Sequence, residues 1–309
     1  MLALPIDRLQ RRPRQTGVAL LVMLTLLTLL GLSVFVGGLS ATQFRLAKVQ
    51  NDAAVLAEAR EALIARSATD ENRPGSLPCP AISEDGVAPI FAGNDCPTYI
   101  GRLPWYTLKV GPLRDSAGEL LWYALAPALR DNLSAQPINS LTPVQLTLDG
   151  APNIAAIVFS PQAPLPSQVG RLSSSVGDYL EGSNSDGDSA YLSGPPSATF
   201  DDQVLAVSSA AIFRVVNQRV LAEVGGTGPS PSQWGLRKYY ADNGSFPWAD
   251  TSGDGFGNVG ATSGNLPYNE LLLAAWLSPN GWPPRILYER LSATSARVRV
   301  DSSTRDIGP

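Results

Sequence analysis

The stretch that decides the fold is residues 18–39, VALLVMLTLLTLLGLSVFVGGL, which contains no charged residue. Roughly 20 apolar residues in a helix span the hydrocarbon core of a bilayer. Four arginines come just before the stretch: Arg8, Arg11, Arg12 and Arg14. Because positive charge favours the cytoplasmic side, we expect a cytoplasmic N-terminus and an exported body. The sequence therefore predicts a single-pass membrane protein.

A cleavable secretory signal peptide is the alternative interpretation of the same stretch. The apolar core of a signal peptide is usually about 7–15 residues long and ends at a pair of small residues. The small residues that fit such a site are Gly37, Gly38, Ser40 and Ala41. Since the apolar run is longer than that core, we expect the segment to be retained.

The junction before the helix carries a more specific pattern. It reads Arg12-Pro13-Arg14-Gln15-Thr16-Gly17, followed at once by Val18-Ala19-Leu20-Leu21. A basic leader, a glycine and an unbroken apolar helix resemble the N-terminal signal of type IV pilins and type II secretion pseudopilins. The resemblance implies cleavage by a prepilin peptidase between Gly17 and Val18, methylation of the new amine, and assembly with other pilins through the N-terminal helix.

One residue departs from the family pattern. Most members carry glutamate at the fifth mature position, which pairs with the N-terminal amine of a neighbouring subunit. This chain has Val22 there. In this respect it resembles minor subunits that cap the tip of a filament. The resemblance therefore implies a minor pilin or pseudopilin of a type II secretion or type IV pilus-like machine, placed at the tip.

Composition excludes several functions. The chain has no histidine, so His-dependent nucleophilic catalysis and His-containing zinc sites are excluded. A net charge of −4 does not indicate nucleic-acid binding. The two cysteines, Cys79 and Cys96, lie in the part expected to be exported, where a disulfide is the simplest state. We expect no enzyme; a carboxylate-dependent hydrolase stays open, although the adjacent Asp201 and Asp202 would point to opposite faces of an extended chain.

The fold expected from these patterns is α+β. No proline occurs between Pro13 and Pro74, so one long helix is predicted, first transmembrane and then amphipathic. Its later apolar positions are Leu46, Val49, Ala53, Leu56 and Leu63. Strands are predicted at 118–126, 144–148, 153–159 and 203–207, and a second helix at 210–224. We expect the long helix to pack on an antiparallel sheet, as it does in pilins.

An internal echo predicts a second pilin-like module in tandem. The motifs Gly75-Ser-Leu-Pro-Cys79 and Gly101-Arg-Leu-Pro-Trp105 return as Gly244-Ser-Phe-Pro-Trp248 and Gly264-Asn-Leu-Pro-Tyr268. In each half an aromatic strand follows. The predicted organisation is a basic leader at 1–17, a transmembrane helix at 18–39, and two modules at 40–199 and 200–309.

Two acidic, glycine-bearing loops are candidate calcium sites. Calcium takes six to eight oxygen ligands, which alternating Asp and Asn side chains can supply. The candidate ligands are Glu181, Asn184, Asp186 and Asp188 in one loop, and Asp250, Asp254 and Asn258 in the other. A solvated turn explains the same residues, because Asp, Asn and Gly favour turns. Calcium is thus a candidate cofactor and not an established one.

The function predicted from the sequence is non-enzymatic. The chain would be an inner-membrane subunit with a periplasmic or extracellular body, and its N-terminal helix would join a filament. Two other classes remain: a bitopic exported binding or adhesion protein, and a periplasmic carboxylate-dependent hydrolase.

Overall fold

The computed structural model describes residues 16–89, 95–131, 136–168, 171, 173–226 and 233–309, without the side chains of 16–19 and 34–42. Residues 1–15, with the arginines of the predicted leader, lie outside the described residues. The chain divides into two compact units, Met1–Gln50 and Asn51–Pro309. Each unit is described separately below.

Three α-helices and five short 3-10 helices are described. The α-helices are α1 Thr16–Thr69, α2 Ser209–Gly225 and α3 Gly235–Asn243. The hydroxyl of Ser208 caps α2 by accepting a hydrogen bond from the backbone N–H of Ala211. Helix α3 ends at Gly244, which takes the left-handed conformation (φ +75°) that glycine adopts without strain. The 3-10 helices are Pro127–Leu129, Val176–Asp178, Gly182–Asn184, Tyr268–Glu270 and Pro283–Arg285.

Two sheets form the body of the unit Asn51–Pro309. The first contains β1 Ile100–Arg102, β2 Trp122–Leu125, β3 Leu146–Leu148, β4 Ala151–Ser160, β5 Ala190–Tyr191 and β6 Gln203–Ser208. Its order is β1-β2-β4-β3-β5, and β6 also pairs with β4. The second contains β7 Ser263–Asn265, β8 Leu287–Ser292, β9 Ser295–Val300 and β10 Ser303–Ile307, in the order β10-β9-β8-β7. All pairings are antiparallel except β3 with β5.

The strands and the second helix predicted from the sequence are confirmed. The continuous apolar run at 153–159 lies inside β4, whose residues from Ile154 onward are buried. Such a run is typical of a strand covered on both faces. The predicted strand at 203–207 is β6, and the predicted helix at 210–224 is α2. Predictions at 118–126 and 144–148 each contain a shorter strand, β2 and β3.

The first sheet is buried on both faces. One face joins the large core cluster through Tyr123, Ala155 and Val158. The other face carries Trp122, Ile157 and Phe159, which form a second cluster. Residues of the segment after β4 cover this second face: Tyr179, Leu180 and Tyr191. The first sheet is therefore the middle layer of the unit.

The predicted pilin-like fold class is wrong in how the N-terminal helix packs. The close element pairs of the unit Asn51–Pro309 do not include α1 with any strand. The apolar positions Leu56 and Leu63 of α1 are buried, but they share their cluster with Leu77, Leu103 and Leu129, which come from turns. The apolar stripe predicts burial correctly at these two positions only, and there turns rather than a sheet cover it. Its other members are exposed: Leu46, Val49 and Ala53.

The predicted second pilin-like module in tandem is also not found. Strand β6 lies beyond residue 200, yet it pairs with β4 of the first sheet from Ile154 to Ser160. One core cluster contains residues from both sequence halves, from Leu56 to Ile307. Because a strand and a core are shared, the two halves do not fold as separate copies of one module.

The echoed motifs nevertheless make equivalent local contacts. The hydroxyl of Tyr123 donates to the carbonyl of Pro78 at 3.2 Å, and the hydroxyl of Tyr288 donates to the carbonyl of Pro247 at 2.9 Å. Both tyrosines are buried, so each hydroxyl needs such an acceptor. The repeat is therefore a local turn-and-strand arrangement that occurs twice.

The predicted transmembrane helix at 18–39 is contradicted. Over the residues that the structure describes, no helix is both long enough and apolar enough to cross a bilayer. This finding contradicts the predicted single-pass inner-membrane location, with its periplasmic or extracellular body.

A buried carboxylate, that of Asp52, anchors the part of helix α1 that belongs to the unit Asn51–Pro309. Its Oδ1 accepts the backbone N–H of Ser116 at 2.6 Å, and its Oδ2 accepts the hydroxyl of Ser116 at 2.7 Å. The side-chain amides of Gln162 and Gln203 donate to Oδ2 at 3.1 and 3.3 Å. Three segments far apart in sequence thus meet at one side chain.

We expect Asp52→Ala to lower the free energy of unfolding by about 3 kcal/mol, because buried donors lose their acceptor. Glu58→Ala is the matched control on an exposed position of the same helix and should stay within about 0.5 kcal/mol of the parent. Urea unfolding followed by tryptophan fluorescence measures both. Equal stability of the two variants would contradict the anchoring role of Asp52.

Candidate functional site

The most unusual surface of the unit Met1–Gln50 is an exposed apolar segment of α1. Ten large apolar side chains there are 52–73% exposed: Leu20, Leu21, Val22, Met23, Leu24, Leu26, Leu27, Leu29, Leu30 and Leu32. Successive helix positions are 100° apart, so these side chains surround the whole helix. We call residues 20–32 the apolar segment. Monomeric proteins rarely expose continuous apolar surface of this kind, which indicates an interaction site.

The hydroxyl groups next to these side chains are already bonded within the helix. Thr25 donates to the carbonyl of Val22 at 2.9 Å, and Thr28 donates to the carbonyl of Thr25 at 2.9 Å. Ser33 donates to the carbonyl of Leu30 at 2.8 Å. Because these donors are satisfied internally, the segment can be covered by apolar atoms without burying an unpaired hydroxyl.

The predicted processing residues lie at the start of α1. Gly17 and Val18 belong to the helix, while the leader before Thr16 lies outside the described residues. Val22 is half exposed and is part of the apolar segment. Along the sequence, the first carboxylate after Asp7 is that of Asp52. A new amine at Val18 would therefore have no carboxylate of its own helix close by.

Cys79 and Cys96 form a disulfide with a Cα–Cα distance of 5.6 Å. This is the pair that the sequence predicts. Both cysteines are buried in the large core cluster. The bond closes the loop that joins the first echoed turn to β1, and closing a loop of this size stabilises a fold by about 3 kcal/mol.

The first acidic loop is divided between the interior and the surface. Glu181 and Asn184 are buried, whereas Asp186 and Asp188 are exposed. Asp186 accepts the backbone N–H of Asp188 at 3.0 Å, and Asp188 accepts that of Ala190 at 2.6 Å. The four candidate ligands therefore do not converge on one point.

The second acidic loop folds around Asp250. Its carboxylate accepts the backbone N–H groups of Ser252, Gly253 and Gly255 at 2.9, 2.7 and 2.9 Å. Asn258 Oδ1 accepts the backbone N–H of Thr251 at 2.7 Å. These bonds hold the loop closed through its own backbone.

Asp254 accepts the backbone N–H of Phe256 at 3.0 Å, in the same manner as its neighbours in the second loop. In the described part of the chain, no group of three or more His, Cys, Asp or Glu residues is placed to hold a metal ion. Calcium binding by either loop stays a prediction.

A buried carboxylate pair, Glu181 and Asp202, lies beside the first acidic loop. The backbone N–H of Glu181 and the side-chain amide of Asn184 donate to Asp202 Oδ2 at 3.1 and 2.9 Å. The backbone N–H of Asp202 donates to Glu181 Oε2 at 3.2 Å. Gln168 also donates to Glu181. The sequence places Asp202 only beside Asp201, and nothing in the local pattern indicates Glu181 as its partner.

Burial, together with the negative charge of Glu181, raises the pKa of Asp202 to about 8. At neutral pH the carboxyl group of Asp202 therefore keeps its proton. A protonated carboxyl group beside a second carboxyl group resembles a general acid and base, but Asp202 is 2% exposed and offers no surface to a substrate. The pair links the segment after β4, which covers the second face of the first sheet, to the start of β6.

The raised pKa of Asp202 has a consequence for stability. Between about pH 4 and about pH 8 the folded chain keeps a proton that the unfolded chain releases, so stability falls as the pH rises through this window. Each pH unit removes up to about 1.4 kcal/mol. We expect Asp202→Asn, which keeps a donor for Glu181, to flatten this dependence in urea unfolding at several pH values.

The control for this experiment is Asp188→Asn, at an exposed position of the neighbouring loop. It should leave the pH dependence of the parent unchanged. An Asp202→Asn variant that loses stability with pH as steeply as the parent would contradict the retained proton of Asp202.

Comparisons with known proteins give no relative for this chain. No protein-family model matches it, and neither a curated protein nor a solved structure matches it. The function of the molecule is therefore inferred from its own residues, above all from the apolar segment and the sequence before it.

Proposed function

We propose that this chain is a non-enzymatic, pilin-like subunit that assembles with other subunits through the apolar segment of α1. The observation that carries the proposal is the exposure of ten large apolar side chains between Leu20 and Leu32. Removing such side chains from water provides roughly 25 cal/mol per Å² of apolar surface. The uncovered segment is therefore a strong driving force for association.

The partner that fits this segment is a set of similar helices. Apolar side chains occur around the whole helix, so a flat surface on one side would leave half of them exposed. A bundle of several helices covers all sides at once. Thr25, Thr28 and Gly31 are smaller residues three positions apart, and nothing lies within 4 Å of the position that a Cβ of Gly31 would occupy. Small residues at a helix–helix contact permit close approach of the backbones.

The sequence before the helix supports the same partner class. A basic leader that ends in Gly17 and leads directly into Val18 resembles the pattern that a prepilin peptidase cleaves. Cleavage would place the apolar segment within a few residues of the mature N-terminus. The segment would then be presented without the arginines of the leader.

Val22 supports a place at the end of the assembly. The pairing of an N-terminal amine with a neighbour's carboxylate needs an acidic residue near the start of the helix. This chain has none between Asp7 and Asp52, and Asp52 is buried. A subunit that lacks this carboxylate is suited to the tip, where one of the two neighbours is absent.

Cysteine cross-linking tests the assembly. Both natural cysteines are in the disulfide, so an engineered cysteine is the one reactive thiol of the chain. In cells that produce the protein naturally, we expect Leu24→Cys to give a bismaleimide cross-link to the N-terminal apolar helix of another subunit, identified by peptide mass spectrometry. Thr304→Cys, on the exposed face of β10, is the control and should give no such product.

A double variant, Leu24→Asp with Leu27→Asp, places two negative charges in the apolar segment. It should abolish the cross-link of a third cysteine variant, Leu30→Cys, while the thermal unfolding of the body stays the same. Absence of any helix-to-helix product from Leu24→Cys would contradict the proposal.

A further inference from the structure

A cleft of about 380 Å³ opens next to β1 and β2. It lies on the face of the first sheet that carries Trp122 and that the segment after β4 covers. Its wall includes the apolar side chain of Ile82 and the hydroxyl-bearing residues Thr98 and Ser175. Its remaining notable members are a buried arginine, Arg102, and a buried tryptophan, Trp122. The proposed assembly does not use this site.

Arg102 is 5% exposed, and its guanidinium packs against two aromatic rings that also contact each other, with 5.1 Å between the ring centres. The Cζ atom is 5.3 Å from the ring centre of Trp122 and 4.7 Å from that of Tyr179. Nη2 donates to the hydroxyl of Tyr179 at 3.0 Å. A guanidinium has five N–H donors in a planar fork, so a carboxylate is its natural partner.

The carboxylate present is that of Glu84, whose Oε1 is 3.1 Å from Nη2 of Arg102. The side chain of Glu84 is 66% exposed, in contrast to its partner. An ion pair with one end in water contributes little, because solvent screens it and the side chain loses conformational freedom. A carboxylate from another molecule can therefore take the place of Glu84 at little cost.

A second donor in the cleft is the indole N–H of Trp122, and this donor has no acceptor among the described residues. The side chain of Trp122 is fully buried. A buried N–H group without an acceptor costs about 1–3 kcal/mol and is uncommon in folded proteins. An acceptor atom supplied by a ligand in the cleft would remove this cost.

The repeated turn-and-strand arrangement does not require this pair of residues. In the first echoed motif Arg102 bridges to Ala81, and in the second the equivalent bridge joins Asn265 to Asp250. Trp122 precedes the buried Tyr123, and Leu287 occupies the equivalent place before Tyr288. The same turn-and-strand arrangement thus forms with asparagine and leucine. The arginine and the tryptophan are features of the cleft and not of the repeat.

We propose that this cleft binds a carboxylate group, carried by a small organic acid or by the C-terminal end of a peptide. The carboxylate replaces Glu84 at the guanidinium of Arg102 and accepts the indole N–H of Trp122. Ion pairing with arginine gives affinity, and the two donors fix the orientation of the group. The hydroxyl-bearing wall and Ile82 contact the remainder of the ligand.

The test follows the Trp122 indole N–H by nitrogen-15 NMR in the full-length chain, dispersed with a mild detergent. The signal is assigned by its loss in Trp122→Phe. Sodium acetate, N-acetyl-dialanine and N-acetyl-dialaninamide are titrated at constant ionic strength. We expect a saturable shift with at least one carboxylate and none with the amide. A shift with acetate alone identifies a small acid, and a shift with the dipeptide alone identifies a peptide end. Failure of both carboxylates, or an equal shift with the amide, overturns the proposal.

Two variants make the assignment specific to the ion pair. Glu84→Gln removes the internal competitor and should tighten carboxylate binding at least about threefold. Asp85→Asn is the matched control, because this neighbouring carboxylate accepts bonds from Ser83 and the backbone N–H of Val87 instead. It should change the affinity less than about twofold. Equal effects of the two variants would show that any nearby negative charge weakens binding, and this outcome would overturn the proposal.

Arg102→Met should abolish the saturable shift. If that variant does not fold, the comparison of Glu84→Gln with Asp85→Asn decides alone, since neither side chain belongs to the core.

Discussion

The buried carboxylate of Asp52 is the constraint on which the placement of helix α1 in the unit Asn51–Pro309 depends. It accepts hydrogen bonds from Ser116, Gln162 and Gln203, which lie on a turn, a loop and β6. A carboxylate can be buried only when its oxygens are satisfied, and here the donors come from three distant parts of the chain. The register of the helix is thereby fixed, and Leu56 and Leu63 then enter the core.

One helix thus serves two environments. Its residues from Asp52 onward alternate between buried and exposed positions, as an amphipathic helix does. Its residues 20–32 are apolar on every side and exposed on every side. The first part is covered by the body of the protein, and the second is left uncovered. This contrast within a single element is the physical basis of the proposed assembly.

The sequence predicts elements better than it predicts their partners. The apolar run in β4, the strand β6, the helix α2 and the Cys79–Cys96 bond all follow from local patterns. Three predictions are contradicted: the packing of α1 on a sheet, the tandem module and the membrane span. Periodicity and composition indicate that a surface is apolar, but they do not identify what that surface contacts. The Glu181–Asp202 pair and the setting of Arg102 depend on contacts between distant segments, which no local motif indicates.

The central claim is that the apolar segment is kept at the start of the mature chain as its site of assembly. Intact mass and N-terminal sequencing of the protein from the cells that make it test this claim most directly. The account predicts a mature chain that begins at Val18 and retains residues 20–32. A chain that still begins at Met1, or one that begins near Ala41 and has lost the segment, would contradict it.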